Sequence, residues 1–382
     1  MANKPNPNPN SNGAGAGPAP YPTLVRPPPE DATRAQIENV LDVTELGVLG
    51  PDIFTNTRPP WLPPGARGIF GGAVIAMSLA AAQKTVPPEF LVHSLHCYFL
   101  LAGSADVPIL LHVERVRDGR SFATRTVQAR QRGRCIFTTT ISLVRQPDGG
   151  DDDSEGGGGK RVDVVRHAAA FPADAPPPPP DDLSLWPNPE PLLPGGSRGP
   201  FQHGPITFVN RDSEIVHERR TRQWTRARGK ISEQGGLPAH LCALAYMSDS
   251  YFMGTVPRIH NLWRFPARPE DVPGLDEAVR KHIMTMHNFE NDGEPLSSFA
   301  GRPSIGMMVS LDHTIYFHEP RRVRADEWML SEMESPWSGD GRGVVTQRIF
   351  SKDGTLLATC FQEGVLRLRH SEAEVEEPKA KL

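Results

Sequence analysis

The feature that most constrains this chain is an internal duplication of a helix followed by a β-rich run. Residues 70–86 and 238–252 each have the pattern of a helix that is apolar on nearly every side. Each precedes long segments rich in Val, Ile, Thr and Phe, and a DGR turn at 118–120 is matched by a DGR turn at 340–342, an offset of 222 residues. A repeat of this period indicates two fused copies of one small domain rather than a solenoid.

Each copy is predicted to be an α+β unit. Its helix is too short to cross a membrane and too apolar for a surface helix, so we expect it to be buried on most sides. The turn signals DGR, RGR and DGT separate the strand-like runs, which predicts antiparallel hairpins. One helix with about four or five antiparallel strands gives an α+β layout for each half.

Low-complexity segments divide the chain. Pro and Gly together account for 75 of the 382 residues, and they occur in blocks, which is typical of ordered modules separated by flexible segments. The predicted division is a disordered Pro/Asn-rich segment at 1–29, a first domain at 30–146, a Pro/Gly-rich linker at 147–200, a second domain at 201–369 with an insertion at about 255–303, and a flexible tail at 370–382.

Composition excludes several classes of function. Lys plus Arg is 41 and Asp plus Glu is 45, so the net charge of −4 gives no drive toward phosphate backbones, and we expect no nucleic-acid partner. Four dispersed cysteines and scattered histidines form neither a disulfide framework nor a zinc pattern, so no metal is expected. Without a long apolar run, a signal peptide or a phosphate-binding loop, we expect an intracellular protein with no membrane span and no bound cofactor.

Two polar residues occur where the pattern predicts burial. Asp249 follows the apolar run 241–247, where its carboxylate needs partners unless the helix end reaches solvent. In the strand predicted over 356–366, alternation places Gln362 on the face of Leu356, Ala358, Cys360 and Leu366. That amide needs a hydrogen-bond partner, which a neighbouring backbone group could also supply.

Other polar residues are less specific. Alternation puts Ser310 on the strand face opposite Val309 and Leu311, as an ordinary strand hydroxyl. Asp312 and His313 are neighbours on the same strand and so point to opposite faces, which predicts structural roles rather than an acid–base pair.

A glycine pair stands at the start of the first apolar helix. Gly71-Gly72 would let a backbone or a ligand approach the helix N-terminus, where free N–H groups can polarise a carbonyl oxygen. Close helix–sheet packing is the alternative explanation for the pair.

Five segments together resemble the acyl-CoA thioesterase II family of bacteria and peroxisomes. They are RGIFGGAVIAMSLAAAQKTVPPE, VRDGRSFATRTVQARQRGRCIFTTTISL, LAYMSDSYF, VSLDHTIYFHEP and DGTLLATCFQEGVLR, in the order of the family. The resemblance covers about residues 36–146 and 201–369. It implies a double hot-dog fold, in which each half wraps a long antiparallel sheet around one apolar helix.

The same resemblance implies hydrolysis of fatty acyl-CoA thioesters to free fatty acid and CoA. The family uses an Asp, a Ser or Thr, and a Gln to hold and activate a water, and these fall on Asp249, Ser310 and Gln362. Bacterial members tend to have Thr where this chain has Ser310, so the hydroxyl is kept. The long linker and the insertion resemble fungal members.

Further contacts follow as expectations. Gly71, Gly72, Arg117 and Arg120 are candidates for substrate binding, the arginines through CoA phosphates, although solvated surface positions would also explain them. The last residues, Ala380-Lys381-Leu382, are similar to the peroxisomal address Ser-Lys-Leu. We therefore expect import into the peroxisomal matrix through the import receptor, or a cytoplasmic location if the tripeptide is not read.

The sequence leaves other functions open. A double hot dog could bind acyl-CoA without hydrolysing it, and a hot-dog enoyl-CoA hydratase would need an Asp/His dyad, for which we find no convincing motif. A homo-oligomer is compatible with the family.

Overall fold

A computed structural model describes residues 27–62, 68–146, 165–182, 185 and 199–369. The predicted flexible tail with its tripeptide, and the predicted disordered N-terminal segment except for its last three residues, lie outside this set. So do residues 147–164 and most of 183–198 of the predicted linker.

The first half begins with a short helix and two short strands. Its elements are α1 (Gln36–Val40), β1 (Val43–Glu45), β2 (Ile53–Asn56), α2 (Gly71–Gln83), β3 (Phe90–Phe99), β4 (Leu110–Asp118), β5 (Phe122–Gln131) and β6 (Arg134–Arg145).

The second half repeats this order and adds helices after its central one. Its elements are β7 (Phe201–His203), β8 (Thr207–Val209), β9 (Arg220–Ala227), α3 (Gly236–Met247), α4 (Thr255–Ile259), α5 (Glu277–Asn291), β10 (Ile305–Ser310), β11 (Asp312–Phe317), β12 (Met329–Gly339), β13 (Arg342–Ser351) and β14 (Leu356–Leu368).

These strands form one antiparallel sheet. Its order is β1-β2-β4-β5-β6-β3-β11-β14-β13-β12-β9-β7, with β10 paired to β14 and β8 paired to β9. Read outward from the central β3–β11 pair, the two halves present equivalent strands in the same order. The DGR turns at 118–120 and 340–342 occupy equivalent hairpins, β4–β5 and β12–β13. The sheet therefore shows the duplication that the sequence predicts.

The two central helices pack against each other and share one core with the inner face of the sheet. Ten of the thirteen residues of α2 are buried, and α3 is buried from Leu241 through Met247. A helix apolar around its circumference has no solvent-facing side, which is why each one lies inside the sheet. The α+β tandem hot-dog prediction is confirmed.

The sequence pattern missed several strands. The strands β1, β2, β7 and β8 are three or four residues long, too short for alternation to be recognised. The longer β9 carries arginines, yet its Arg222 is buried because its guanidinium pairs with Glu332 and Asp174. Charge on a strand therefore did not indicate exposure here, since the partners are supplied by other segments.

Part of the predicted linker packs on the second half. Phe171 contacts Trp224 and Phe350 on the outer face of the sheet. Trp224 donates its indole N–H to the Pro176 carbonyl at 3.0 Å, and Arg222 Nη2 donates to Asp174 Oδ1 at 2.9 Å. Residues 171–176 therefore cover a strip of sheet rather than crossing open solvent.

The segment predicted as an insertion contains helices and a small core of its own. Trp263, Phe265, Val272, Ile283 and Phe299 form this core, separate from the main one. Asp276 caps α5 by accepting the Ala278 N–H at 2.9 Å. In the part of the chain that the structure describes, no helix is both long and apolar enough to cross a membrane.

The central strand pair gives a prediction about stability. Ile315 of β11 is fully buried opposite Leu95 of β3, whereas its neighbour Tyr316 is 41% exposed on the other face. We expect Ile315→Ala to lower the free energy of unfolding by about 2–5 kcal/mol, because it leaves a cavity at the junction of the halves. Tyr316→Ala should cost about 1 kcal/mol or less. Urea unfolding of both variants tests this, and equal losses would contradict the placement of the core.

Candidate active site

The packing of the two helices brings Asp249 to the N-terminus of α2. Asp249 lies two residues beyond α3, and its Oδ2 accepts the Gly72 N–H at 2.9 Å. A Cβ on Gly71 would come within 2.7 Å of that oxygen, and a Cβ on Gly72 would collide with the Tyr246 carbonyl. The glycine pair is thus required by the approach of α3 and its carboxylate. The N–H of Gly72 is bonded to Asp249 and is not free for a ligand.

A β-bulge turns Ser310 toward the same place. Thr314 of β11 pairs with Phe361 of β14, but Ser310 of β10 pairs with Gly364, so four residues on one strand oppose three on the other. An extra residue of this kind, here around Leu311, moves a side chain to the opposite face. The prediction that Ser310 points away from the core face was therefore wrong.

Gln362 joins the two. It is 1% exposed, and its Nε2 donates to Asp249 Oδ1 at 3.0 Å and to Ser310 Oγ at 2.5 Å. It shares its face with the buried Ala358 and Cys360, as alternation predicts. Leu356 instead packs with the outer cluster, because the register shifts between Leu356 and Ala358. The three residues singled out by resemblance are brought together from the segment that follows α3, from β10 and from β14.

Burial changes the acidity of Asp249. Removal from solvent raises the pKa of its carboxyl to about 7, although the hydrogen bonds from Gln362 and Gly72 act in the opposite direction. A carboxyl with this pKa is a good general base near neutral pH, because enough of it is ionised and it still binds a proton well.

Two cavities meet at Asp249 and Ser310. The helix-side cavity, of about 680 Å³, is lined by Phe70, Val74, Phe99, Ile136 and Phe137, and Asp249 is the only charged residue among the described residues of its wall. The insertion-side cavity, of about 460 Å³, adds aromatic and charged residues of 251–291. The helix-side cavity is thus apolar, whereas the insertion-side cavity has both aromatic and charged walls.

The charged wall of the insertion-side cavity is an ion-pair cluster. Arg264 Nε lies 2.7 Å from Glu290 Oε2, and Arg258 Nη2 lies 3.5 Å from the same oxygen. Two guanidinium groups share one carboxylate, which leaves excess positive charge beside the junction. Sequence reasoning did not single out these residues, because the cluster forms only when the insertion folds.

The structure does not bring Arg117 and Arg120 to this junction. They flank the β4–β5 turn, which precedes Phe122, whereas Phe137 of the helix-side cavity pairs with Ala129 at the other end of β5. Seven residues of strand separate these positions, about 23 Å. Hairpin geometry keeps this turn at the far end of the sheet, and contact of Arg117 and Arg120 with CoA phosphates stays a prediction.

The sequence did not reveal that His313 belongs to the surroundings of this site. His313 is fully buried, and its ring lies between Ser248 and Gln362. Burial lowers the pKa of His313 to about 4, so the ring is neutral. In the sequence, alternation with Ile315 and Phe317 places His313 on the core face, and this burial was the only indication of its role that the pattern offered. Within the described ranges, no group of three or more His, Cys, Asp or Glu side chains could hold a metal ion.

Comparison with known proteins agrees with this architecture. The family model described as the acyl-CoA thioesterase N-terminal domain matches residues 58–144, and that of the acyl-CoA thioesterase C-terminal domain matches residues 172–366. Rat acyl-coenzyme A thioesterase 8 is 33% identical over 335 residues, which cover 86% of this chain and 88% of that protein.

More distant relatives and solved structures cover similar lengths. The Saccharomyces cerevisiae peroxisomal acyl-coenzyme A thioester hydrolase 1 is 26% identical over 87% of this chain and 95% of its own. The crystal structure of an acyl-CoA thioesterase II from Mycobacterium marinum is 30% identical, with a TM-score of 0.57, over 88% of this chain and 98% of that one. The chain therefore belongs to the acyl-CoA thioesterase family and is a thioester hydrolase.

Proposed function

We propose that the enzyme hydrolyses acyl-CoA by direct attack of a water molecule held by Asp249, Ser310 and Gln362. The observation that carries the proposal is the convergence of these three side chains where the two cavities meet. No nucleophilic side chain is needed, because a carboxylate with a pKa near 7 can take a proton from water.

We infer the role of each group from its hydrogen bonds. Gln362 donates to both Asp249 and Ser310, so Ser310 accepts with one lone pair and keeps its own O–H for the water or the thioester oxygen. Ionised Asp249 accepts the proton of the water as its oxygen attacks the carbonyl carbon. The C–S bond then breaks, and the departing CoA sulfur takes that proton from Asp249.

The developing oxyanion also needs donors. In the first turn of α2, the Gly72 N–H is bonded to Asp249 and the Ala73 N–H to the Phe70 carbonyl, whereas Gly71 lines the helix-side cavity. We assign oxyanion stabilisation to the Gly71 N–H together with the Ser310 hydroxyl, since donors aimed at developing charge are the largest common source of rate enhancement.

The two cavities suit the two parts of the substrate. The apolar walls of the helix-side cavity fit an acyl chain, because Asp249 at its mouth is the only charge among its described lining residues. The insertion-side cavity fits the polar CoA arm, since Arg258 and Arg264 line its wall and share the single carboxylate of Glu290. The insertion would then form part of the CoA entrance.

We also propose that the enzyme works in peroxisomes. The support is the similarity to the yeast protein named as peroxisomal. Recognition of Ala380-Lys381-Leu382 by the import receptor, like homo-oligomerisation, stays a prediction. A fluorescent protein joined to the N-terminus should give punctate peroxisomal signal, which deletion of the three residues converts to a diffuse one. A diffuse signal from the intact fusion would contradict the proposal.

Replacement of the proposed base tests the mechanism. Asp249→Asn should lower kcat for thiol release by roughly 10²–10⁴-fold while acyl-CoA still binds, because the amide cannot take a proton. The matched control is Asp312→Asn, which changes a nearby carboxylate that accepts the Glu363 N–H at 2.7 Å. It should leave kcat within about threefold. Full turnover by Asp249→Asn would refute the assignment, and a wild type that binds but does not hydrolyse acyl-CoA would favour a binding module.

The raised pKa of Asp249 gives a pH prediction. Because only the ionised form is a base, kcat should rise with pH through about 7 and fall at pH 5.5 to less than about a tenth of its plateau. Stability should follow the opposite trend, because a pKa raised in the folded state favours folding at low pH and this contribution is lost as pH rises through 7. Asp249→Asn should therefore raise Tm more at pH 8.5 than at pH 5. A flat rate profile between pH 5 and 8 would contradict this.

The assignment of the acyl cavity predicts a change in chain-length preference. Val74→Phe places a larger side chain in the helix-side cavity and so reduces the space for the acyl chain. It should lower kcat/KM for long acyl-CoAs at least about tenfold more than for short ones. Leu262→Phe in the insertion-side cavity is the control and should leave the order of chain lengths unchanged. A panel of saturated acyl-CoAs measures both, and the reverse pattern would exchange the roles of the cavities.

A further inference from the structure

We propose that His313 is a positioning residue that fixes the orientation of the Gln362 amide through a hydrogen bond from its Nδ1–H. Through that amide it sets the hydrogen bonds that Asp249 and Ser310 receive. The inference rests on the proposed function of those three residues and adds a fourth, which does not touch the substrate.

The ring of His313 is held on several sides. Its Nδ1 lies 3.2 Å from Gln362 Oε1, and its Nε2 lies 3.0 Å from Ser248 Oγ. Phe252 packs against it edge-on, with 5.6 Å between ring centroids. Cys97 donates its S–H to the His313 carbonyl at 3.2 Å, across the β3–β11 pair. The ring therefore has a fixed position with each nitrogen facing one partner.

The chemistry of those partners selects one tautomer. A neutral imidazole has one N–H, and Gln362 Oε1 can only accept, so Nδ1 must carry the proton when the amide is oriented as observed. Nε2 then accepts the Ser248 hydroxyl proton. That hydroxyl also lies 2.9 Å from the Ala245 carbonyl, which is its alternative acceptor.

The other tautomer fails when Asp249 is ionised. If Nδ1 were the acceptor, the amide would have to flip to donate to it, and Gln362 Oε1 would face Asp249 Oδ1. Two acceptors in contact repel each other, and burial makes this repulsion costly. The Nδ1–H tautomer is thus the one that matches the catalytic form of Asp249.

Loss of the histidine donor should act through Asp249. The bond from Gln362 favours the ionised carboxyl and so lowers its pKa against the larger effect of burial. Without a fixed amide this bond weakens, and the pKa of Asp249 should rise further. Ser310 would also lose its donor and with it the direction of its own O–H.

Few other ionisations can mimic such a shift. Among the described residues, burial and then the Asp249 charge raise the pKa values of Tyr246 on α3 and Cys97 on β3, so both groups stay neutral near pH 7. Asp312 on β11 has its own partner, the Glu363 N–H, and burial raises its pKa.

The test compares three variants of the full chain by kcat, KM and the pH dependence of thiol release. His313→Leu keeps volume but removes the donor. It should lower kcat at least about tenfold, leave KM within about threefold and move the acid limb to higher pH. His313→Asn can place an amide N–H near the Nδ1 position and should recover most of the rate and the position of the limb. Ser248→Ala frees Nε2 from its donor and should give a smaller shift in the same direction.

Each outcome decides between explanations. A folded His313→Leu with wild-type kcat and pH limb overturns the inference, as does equal loss in the Leu and Asn variants with an unmoved limb, which would indicate packing alone. If His313→Leu does not fold, the Asn and Ser248→Ala variants decide by the same two criteria. Full turnover by Asp249→Asn would instead refute the proposed mechanism, whatever the His313 variants do.

Discussion

A carboxylate buried at the junction of two helices is the interaction on which the site depends. Asp249 reaches the first turn of α2 only because Gly71 and Gly72 carry no side chain and let α3 approach. The same packing removes the carboxyl from water and raises its pKa to about 7. The close approach of α3 to α2 thus explains both the core packing of the two halves and the acid–base chemistry of Asp249. The free-energy cost of burying the carboxylate is offset by the hydrogen bonds from Gly72 and Gln362.

The duplication repeats the fold but not the chemistry. The pair Gly235-Gly236 lies at the start of α3 much as Gly71-Gly72 begins α2, and counting from the first glycine of each pair places Thr85 where Asp249 stands. Thr85 accepts a hydrogen bond from the fully buried Arg125 instead of presenting a carboxylate. Within the described residues, the Asp249 arrangement therefore has no second copy at the equivalent position.

Sequence alone predicted the elements that depend on local pattern. The apolar helices, the hairpins and the burial of Gln362 follow from periodicity and turn residues. Periodicity failed at Ser310 because an extra residue near Leu311 reverses the face, and no alternation rule detects a bulge in advance. Charge type likewise says nothing about which end of a hairpin meets the site, so the sequence does not indicate that Arg117 and Arg120 lie at the far end of β5. His313 was placed in the core, but its role depends on partners from α3 and β14.

The most direct test of the account is a crystal structure of the enzyme with a non-hydrolysable thioether analogue of acyl-CoA. We expect an acyl chain in the helix-side cavity and an ordered water bonded to Asp249 and Ser310, about 3–3.5 Å from the carbon that corresponds to the thioester carbonyl. A position of that carbon remote from Asp249, or a side chain occupying the position of the attacking water, would contradict direct hydrolysis by this site.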